Sequence, residues 1–222
     1  MRDFVSLTAA DGHGLRAWLS EPSQKPKGAI VVLQEIFGVN SHIRDVTDRF
    51  AAEGYQAIAP ALFDRFAPGF ECGYGADDMA TAIALMGKIQ IDQTLLDIDA
   101  AIAKVRPAGK VGVVGFCFGG LMTWLSACRL RPDAAVAYYG GRIEQFKDEQ
   151  PSCPIMLHFG SKDSHIPPAA VAAVRAAHSA LPIYLYDADH GFACDQRGSY
   201  DAASHKLAWR RTLDFFATHL AA

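Results

Sequence analysis

The chain has 222 residues, half of them hydrophobic and a fifth charged, with a formal net charge of -3. One domain of that length buries roughly 70% of its unfolded surface, so core size is not limiting, and the composition excludes both a disordered chain and a surface built to seek polyanions. Nucleic acid is therefore not an expected partner. The five cysteines, Cys72, Cys117, Cys128, Cys153 and Cys194, are odd in number and irregularly spaced with no CxxC, which excludes a disulfide framework or a zinc ribbon. The opening MRDFVSLTAADG has no apolar h-region, and no apolar run approaches the roughly 18 residues that span a bilayer. The expectation is a soluble, cytoplasmic protein with no membrane partner.

The first predicted element is the continuous apolar run GAIVVLQ at 28–34, a buried strand. SHIRDVTDRFAAEG at 41–54 follows as a helix, with Ile43, Val46 and Phe50 at i, i+3 and i+4 spacing, Ser41 as the expected N-cap and a closing glycine. YQAIAP at 55–60 reads as a strand stopped by proline, and 77–89 and 91–105 read as helices. KVGVVG at 110–115 is the next buried strand, leading into a helix that contains LMTWLSACRL. Three more strands are expected at 134–140, 154–160 and 183–187, with a loop at 141–153, a helix at 167–180 and a last helix over roughly 200–220.

Strands apolar on both faces and alternating with helices imply a mostly parallel sheet covered on both sides. The fold class is α/β. Without repeats, low-complexity tracts or linker-like runs, residues 1–222 form one expected domain. The segment 61–90 breaks the alternation with Pro68, Gly69, Gly73 and Gly75, and is the expected lid or insertion.

In such a sheet, chemistry sits beyond the carboxyl ends of the strands, and there the chain reads Gly115-Phe116-Cys117-Phe118-Gly119. A sharp strand-to-helix turn lifts one side chain clear of the backbone, and glycines on either side remove the Cβ atoms that would collide with its neighbours. The N-terminus of the following helix also favours a thiolate over the thiol, whose unperturbed pKa is about 8.5. Cys117 is thus a candidate nucleophile, although a free cysteine is often a small buried hydrophobe. A thiol needs a base and the base an orienting acid, in the chain order nucleophile, acid, histidine. GSKDSHIPP at 160–168 supplies Asp163 after one strand, and DADHGF at 187–192 supplies His190 after the next. His165, Asp187 and Asp189 compete with Asp163 for the acid role. His42, His178, His205 and His219 fall on helices, His13 precedes the first elements and His158 lies within a strand. The cluster Asp187, Asp189, His190, Cys194 and Asp195 has a metal-site composition, but no helical HxxxH or paired thiolates accompany it, so no metal and no cofactor are expected.

QEIFG at 34–38, GFCFGG at 115–120, GSKDSHIP at 160–167 and DHGFA at 189–193 together resemble the dienelactone hydrolase family, cysteine-nucleophile members of the α/β-hydrolase superfamily. The resemblance runs over nearly the whole chain. It implies an α/β-hydrolase fold and a Cys117–His190–Asp163 triad, with the backbone N–H groups of Ile36 and Phe118 as the oxyanion hole. It also implies that Glu35 holds the resting thiol until substrate displaces it; the position alone fits a solvated loop glutamate equally well. The implied activity is opening of a small lactone or ester through a thioester, with a different ester or thioester hydrolase, or a silent binding protein on the same scaffold, as the alternatives. The candidate substrate-binding residues are Phe37, Tyr139 and Arg197, and the expected state is a monomer.

The chain departs from the family in one respect. Members that open dienelactone grip its carboxylate with arginines, one shortly after the histidine and one in the segment matching 73–88. Here Cys194 stands at the first place with Arg197 three residues on, and 73–88 has no arginine, while Asp77 and Asp78 add charge of the wrong sign. Arg197 or Arg65 could enter from another direction. The expectation is a preference for uncharged lactones or esters.

Overall fold

The computed structural model describes residues 2–221. Its centre is an eight-stranded sheet in the order β1-β2-β4-β3-β5-β6-β7-β8. The strands are β1 (Arg2–Thr8), β2 (Gly14–Ser20), β3 (Ala29–Leu33), β4 (Gln56–Pro60), β5 (Val111–Phe116), β6 (Ala134–Tyr138), β7 (Ile155–Gly160) and β8 (Ile183–Tyr186). β1 and β2 pair antiparallel, as do β2 and β4, and every later pairing is parallel. Every residue of β3, β5, β6 and β7 is buried, because each of these strands is covered on both faces. This is why they read as unbroken apolar runs instead of alternating ones.

The helices are α1 (Ser41–Ala52), α2 (Ala76–Met86), α3 (Ile91–Val105), α4 (Phe118–Arg129), α5 (Pro168–Ala177) and α6 (Ala202–His219). α1 and α6 share one face of the sheet, where Phe50 packs on Trp209 and Phe216. α3 and α4 pack together on the other face, and α5 joins them through His178, whose ring lies 5.0 Å from that of Trp124. Strand order, the antiparallel β2 and helices on both faces make this an α/β-hydrolase fold. Among the described residues, no helix is long and apolar enough to cross a membrane.

Two readings are corrected and one segment gains detail. The hairpin β1–β2 had no counterpart in the predicted elements, although Leu15, Ala17 and Leu19 bury alternate positions on the paired β2. The N-cap of α1 is Asn40, whose side chain accepts from the Ile43 amide at 3.2 Å; Ser41 instead donates to Gln196 at 2.8 Å. The segment 61–90 has two unlike halves. Leu62 and Phe63 are buried, and Asp64 accepts the amides of Arg16 and Gly69 at 2.9 and 2.8 Å, so the first half is tied to the sheet. α2 lies on the surface and buries a single residue, Ala82.

Candidate active site

Cys117 ends β5 and caps α4 with φ 55° and ψ −113°, a backbone conformation that costs a non-glycine residue on the order of 1–3 kcal/mol. The surroundings hold it there: its amide donates to the Tyr138 carbonyl at 3.0 Å, and its carbonyl accepts from Gly120 and Leu121 at 2.9 and 3.2 Å. The turn requires the flanking glycines. A Cβ at Gly115 would lie 2.1 Å from the Gly119 carbonyl oxygen, and one at Gly119 would lie 2.3 Å from that of Leu33. The side chain left standing at the apex is that of Cys117, on the wall of a cavity of about 270 Å³.

His190 follows β8 and shares that wall. Its Nδ1 lies 2.7 Å from Asp163 Oδ2, while Asp163 Oδ1 accepts the amides of His165 and Ile166 at 2.8 and 3.2 Å. The carboxylate is therefore fixed in orientation as well as position. Burial works against a charge on His190, but the hydrogen bond to Asp163 and the neighbouring Cys117 thiol outweigh it and push the pKa up to about 10. The proton of the pair is thus drawn to the imidazole. Of the competing acids, Asp187 is exposed and pairs with Lys162 at 3.0 Å, and Asp189 accepts the amide of His190 at 2.6 Å. His165 stacks edge-on to His190, 5.0 Å between centroids, and lines the cavity.

Ile36, Phe37 and Phe118 line the same cavity, joined by Leu121 and by Met79, Ile83 and Met86 of α2. The lining is therefore largely apolar, with Arg142 and Arg197 as its two arginines. Tyr139 is not on this wall. It is fully buried behind His190, ring centroids 5.1 Å apart, with its hydroxyl unpartnered, so it supports the imidazole from behind and has no access to substrate in this arrangement.

Glu35, 1% exposed, has one side-chain hydrogen-bond partner among the described residues: Arg197, whose Nη1 lies 3.3 Å from Oε1. The expected contact with the resting thiol is not formed, and Oε2 is buried without a partner. Arg197 also lies 5.7 Å over each of the rings of Phe37 and Tyr74. Of the two arginines that could enter from another direction, Arg197 lines the cavity, whereas Arg65 is bound by Asp11 and Asp97.

The metal-like group in the sequence does not assemble either: Asp195 turns to Arg49, and Asp187 to Lys162. Cys194 instead meets Glu35 and His42, with one potential ligand atom from each within 4.8 Å of the others. In the sequence His42 is set aside as one of the histidines that fall on helices, and Arg142 goes unnoticed. A lone histidine on an amphipathic helix and an arginine in the loop after β6 carry no local signal; the one clue at Arg142, its left-handed φ of 66°, is structural.

The profile of the dienelactone hydrolase family matches residues 15–220. A carboxymethylenebutenolidase of Pseudomonas putida is 32% identical over 96% of this chain and 95% of its own length. A Synechocystis sp. protein provisionally given the same name is 38% identical over 93% and 92%. A crystal structure from Klebsiella pneumoniae, provisionally named a dienelactone hydrolase, superposes with a TM-score of 0.84 at 32% identity, covering 97% of this chain and 99% of that one. With a match over nearly its full length, and with a cysteine at the elbow where this fold presents its nucleophile, the chain belongs to the dienelactone hydrolase family.

Proposed function

We propose that this lactone or ester hydrolase works through Cys117 as a covalent nucleophile, His190 as general base and acid, and Asp163 as the group that orients His190. One observation carries the reading: a cysteine held in a strained turn on the wall of a cavity, which it shares with a histidine whose Nδ1 is 2.7 Å from a buried carboxylate. Cys117 passes its proton to His190, and the thiolate adds to the substrate carbonyl as the C=O π pair moves onto oxygen. The amides of Ile36 and Phe118 receive that oxyanion. Collapse breaks the ring C–O bond, His190 returns the proton to the leaving oxygen, and a thioester remains on Cys117. His190 then takes a proton from water, hydroxide adds to the thioester, and the C–S bond breaks to release the acid and the thiolate.

The cavity suits a small substrate with an apolar body. Met79, Ile83 and Met86 are spaced by four and three residues along α2 and present one apolar stripe to it, so we assign α2 as the lid of a single domain. Arg197 is the group placed to meet a substrate carboxylate, and Glu35 is the group such a carboxylate would have to displace. The test is hydrolysis of a panel of lactones and esters by the wild type and Cys117→Ala, with mass spectrometry after brief alkylation. Activity should fall in step with modification of Cys117, and full activity with Cys117 blocked would reject the mechanism.

A further inference from the structure

Behind the cavity, three fully enclosed side chains from distant parts of the chain converge: Glu35 from the turn after β3, His42 from the first turn of α1, and Cys194 from the loop after β8. Two of them are incompletely partnered. Neither ring nitrogen of His42, 0% exposed, makes a hydrogen bond: Nδ1 lies 3.5 Å from Asp195 Oδ1, while Nε2, like Glu35 Oε2, has no partner among the described residues. Buried polar atoms are nearly always satisfied, and two such atoms in one spot, on a histidine whose other nitrogen faces a carboxylate, point to a missing partner. We propose that the cluster is a binding site for a single divalent cation of borderline softness, with zinc as the best match, ligated by Glu35 Oε2, a ring nitrogen of His42 and Cys194 Sγ.

The donor set is the reason for zinc. One thiolate, one imidazole and one carboxylate suit a metal that accepts sulfur, nitrogen and oxygen together, which magnesium and calcium do not. Binding replaces the thiol proton by the metal, which is released as H⁺, so the two anionic ligands neutralise the dication. Arg197 stays on Glu35 Oε1 and leaves Oε2 to the metal. Ligand atoms in a tetrahedral zinc site lie about 3.5 Å apart, given bonds of about 2.0–2.3 Å, so the present spread of up to 4.8 Å must contract by roughly 1 Å. The Tyr74 hydroxyl lies against the Cys194 thiol and accepts from Asn40 at 3.2 Å, so it can donate to the ligating sulfur. Arg197 both lines the cavity and bonds Glu35, so it separates the cluster from the cavity.

The experiment reads metal, not hydrolysis, so its failure is separate from failure of the proposed mechanism. Chelator-treated protein with Cys117 alkylated, which removes the other thiol–imidazole pair, is given one equivalent of zinc and passed through a desalting column. Mass spectrometry for metals should find about one zinc per chain, and cobalt in its place should show a thiolate charge-transfer band. Cys194→Ser should lose the band, and His42→Asn should weaken binding by more than the roughly 10–100-fold typical of outer-shell changes. Should either variant fail to fold, X-ray absorption at the zinc edge of the unmutated, Cys117-alkylated chain decides: one sulfur with nitrogen and oxygen ligands supports the site. Zinc that is absent from the alkylated chain, that survives both substitutions, or that lacks a sulfur ligand overturns the proposal.

Discussion

Asp163→Asn changes one oxygen to an amide nitrogen and keeps the shape, so it isolates what the charge does. Oδ1 can still accept from His165 and Ile166, but an NH₂ donor now faces His190 Nδ1 where Oδ2 lay at 2.7 Å. That forces the proton to the wrong ring nitrogen for taking one from Cys117. In the wild type the pKa of His190 stands at about 10 against an ordinary 6.5, despite burial that alone would lower it. A difference of about 3.5 units corresponds to roughly 5 kcal/mol favouring the imidazolium, shared between Asp163 and Cys117. Losing the Asp163 share should lower kcat/KM by roughly 10²–10⁴ and slow iodoacetamide labelling of Cys117 near neutral pH by at least about tenfold. Stability supplies the cross-check. A raised histidine pKa stabilises the fold fully below about pH 6.5, and that stabilisation is lost as the pH rises through about 10. The stability difference between wild type and variant in urea should therefore be a few kcal/mol at about pH 6, shrink steadily above about pH 6.5 and be largely gone by about pH 10. A variant with near-normal kcat/KM, or a stability gap that does not change with pH, would refute the assignment of His190 and Asp163 as a coupled pair.

Gly119→Ala places a Cβ 2.3 Å from the Leu33 carbonyl oxygen and 2.6 Å from that of Gln34, both backbone atoms of the central sheet edge that cannot step aside. It should cost about 3 kcal/mol or more, read as a lowered urea midpoint, and an unchanged midpoint would mean that the elbow is looser than its contacts imply. For the substrate, a charge-assisted contact is worth about 1.5–3 kcal/mol. A lactone acid should therefore be preferred over its methyl ester by roughly tenfold to a hundredfold in kcat/KM, and Arg197→Ala should remove that ratio. An acid-to-ester ratio near one in the wild type would refute the Arg197 contact, and a ratio clearly below one would return the chain to the preference for uncharged substrates that its missing arginines suggested.

What the sequence discloses follows from how locally each feature is encoded. The buried parallel strands and their helices are legible because a strand covered on both faces must be apolar throughout, and the elbow is legible because its two glycines are local to the turn, although the contacts that require Gly119 come from Leu33 and Gln34 on another strand. The hairpin β1–β2 escaped notice for the opposite reason. β1 is an edge strand with one face in solvent, so Arg2, Asp3, Ser6 and Thr8 dilute its pattern, and the Asp11–Gly12 turn with the alternation Leu15, Ala17, Leu19 was the available signal. The Ser41 expectation failed by one residue because serine and asparagine cap equally well, and the geometry of the incoming chain, not composition, selects Asn40. At the site, Cys117, Asp163 and His190 could be found because the topology of a parallel sheet brings strand ends together whatever the intervening sequence. No such rule brings His42 to Cys194, or swings Arg197 to Glu35 across the space where the family pattern puts an arginine three residues earlier. These pairings depend on the path of the loop after His190, where Gly191 at φ 77° turns the chain and leaves room for the guanidinium that a Cβ would meet at 2.7 Å. The same backbone turn therefore provides both the arginine on the cavity wall and the enclosed space behind it, so a side chain at Gly191 should disturb substrate charge selection and the Glu35–His42–Cys194 cluster together.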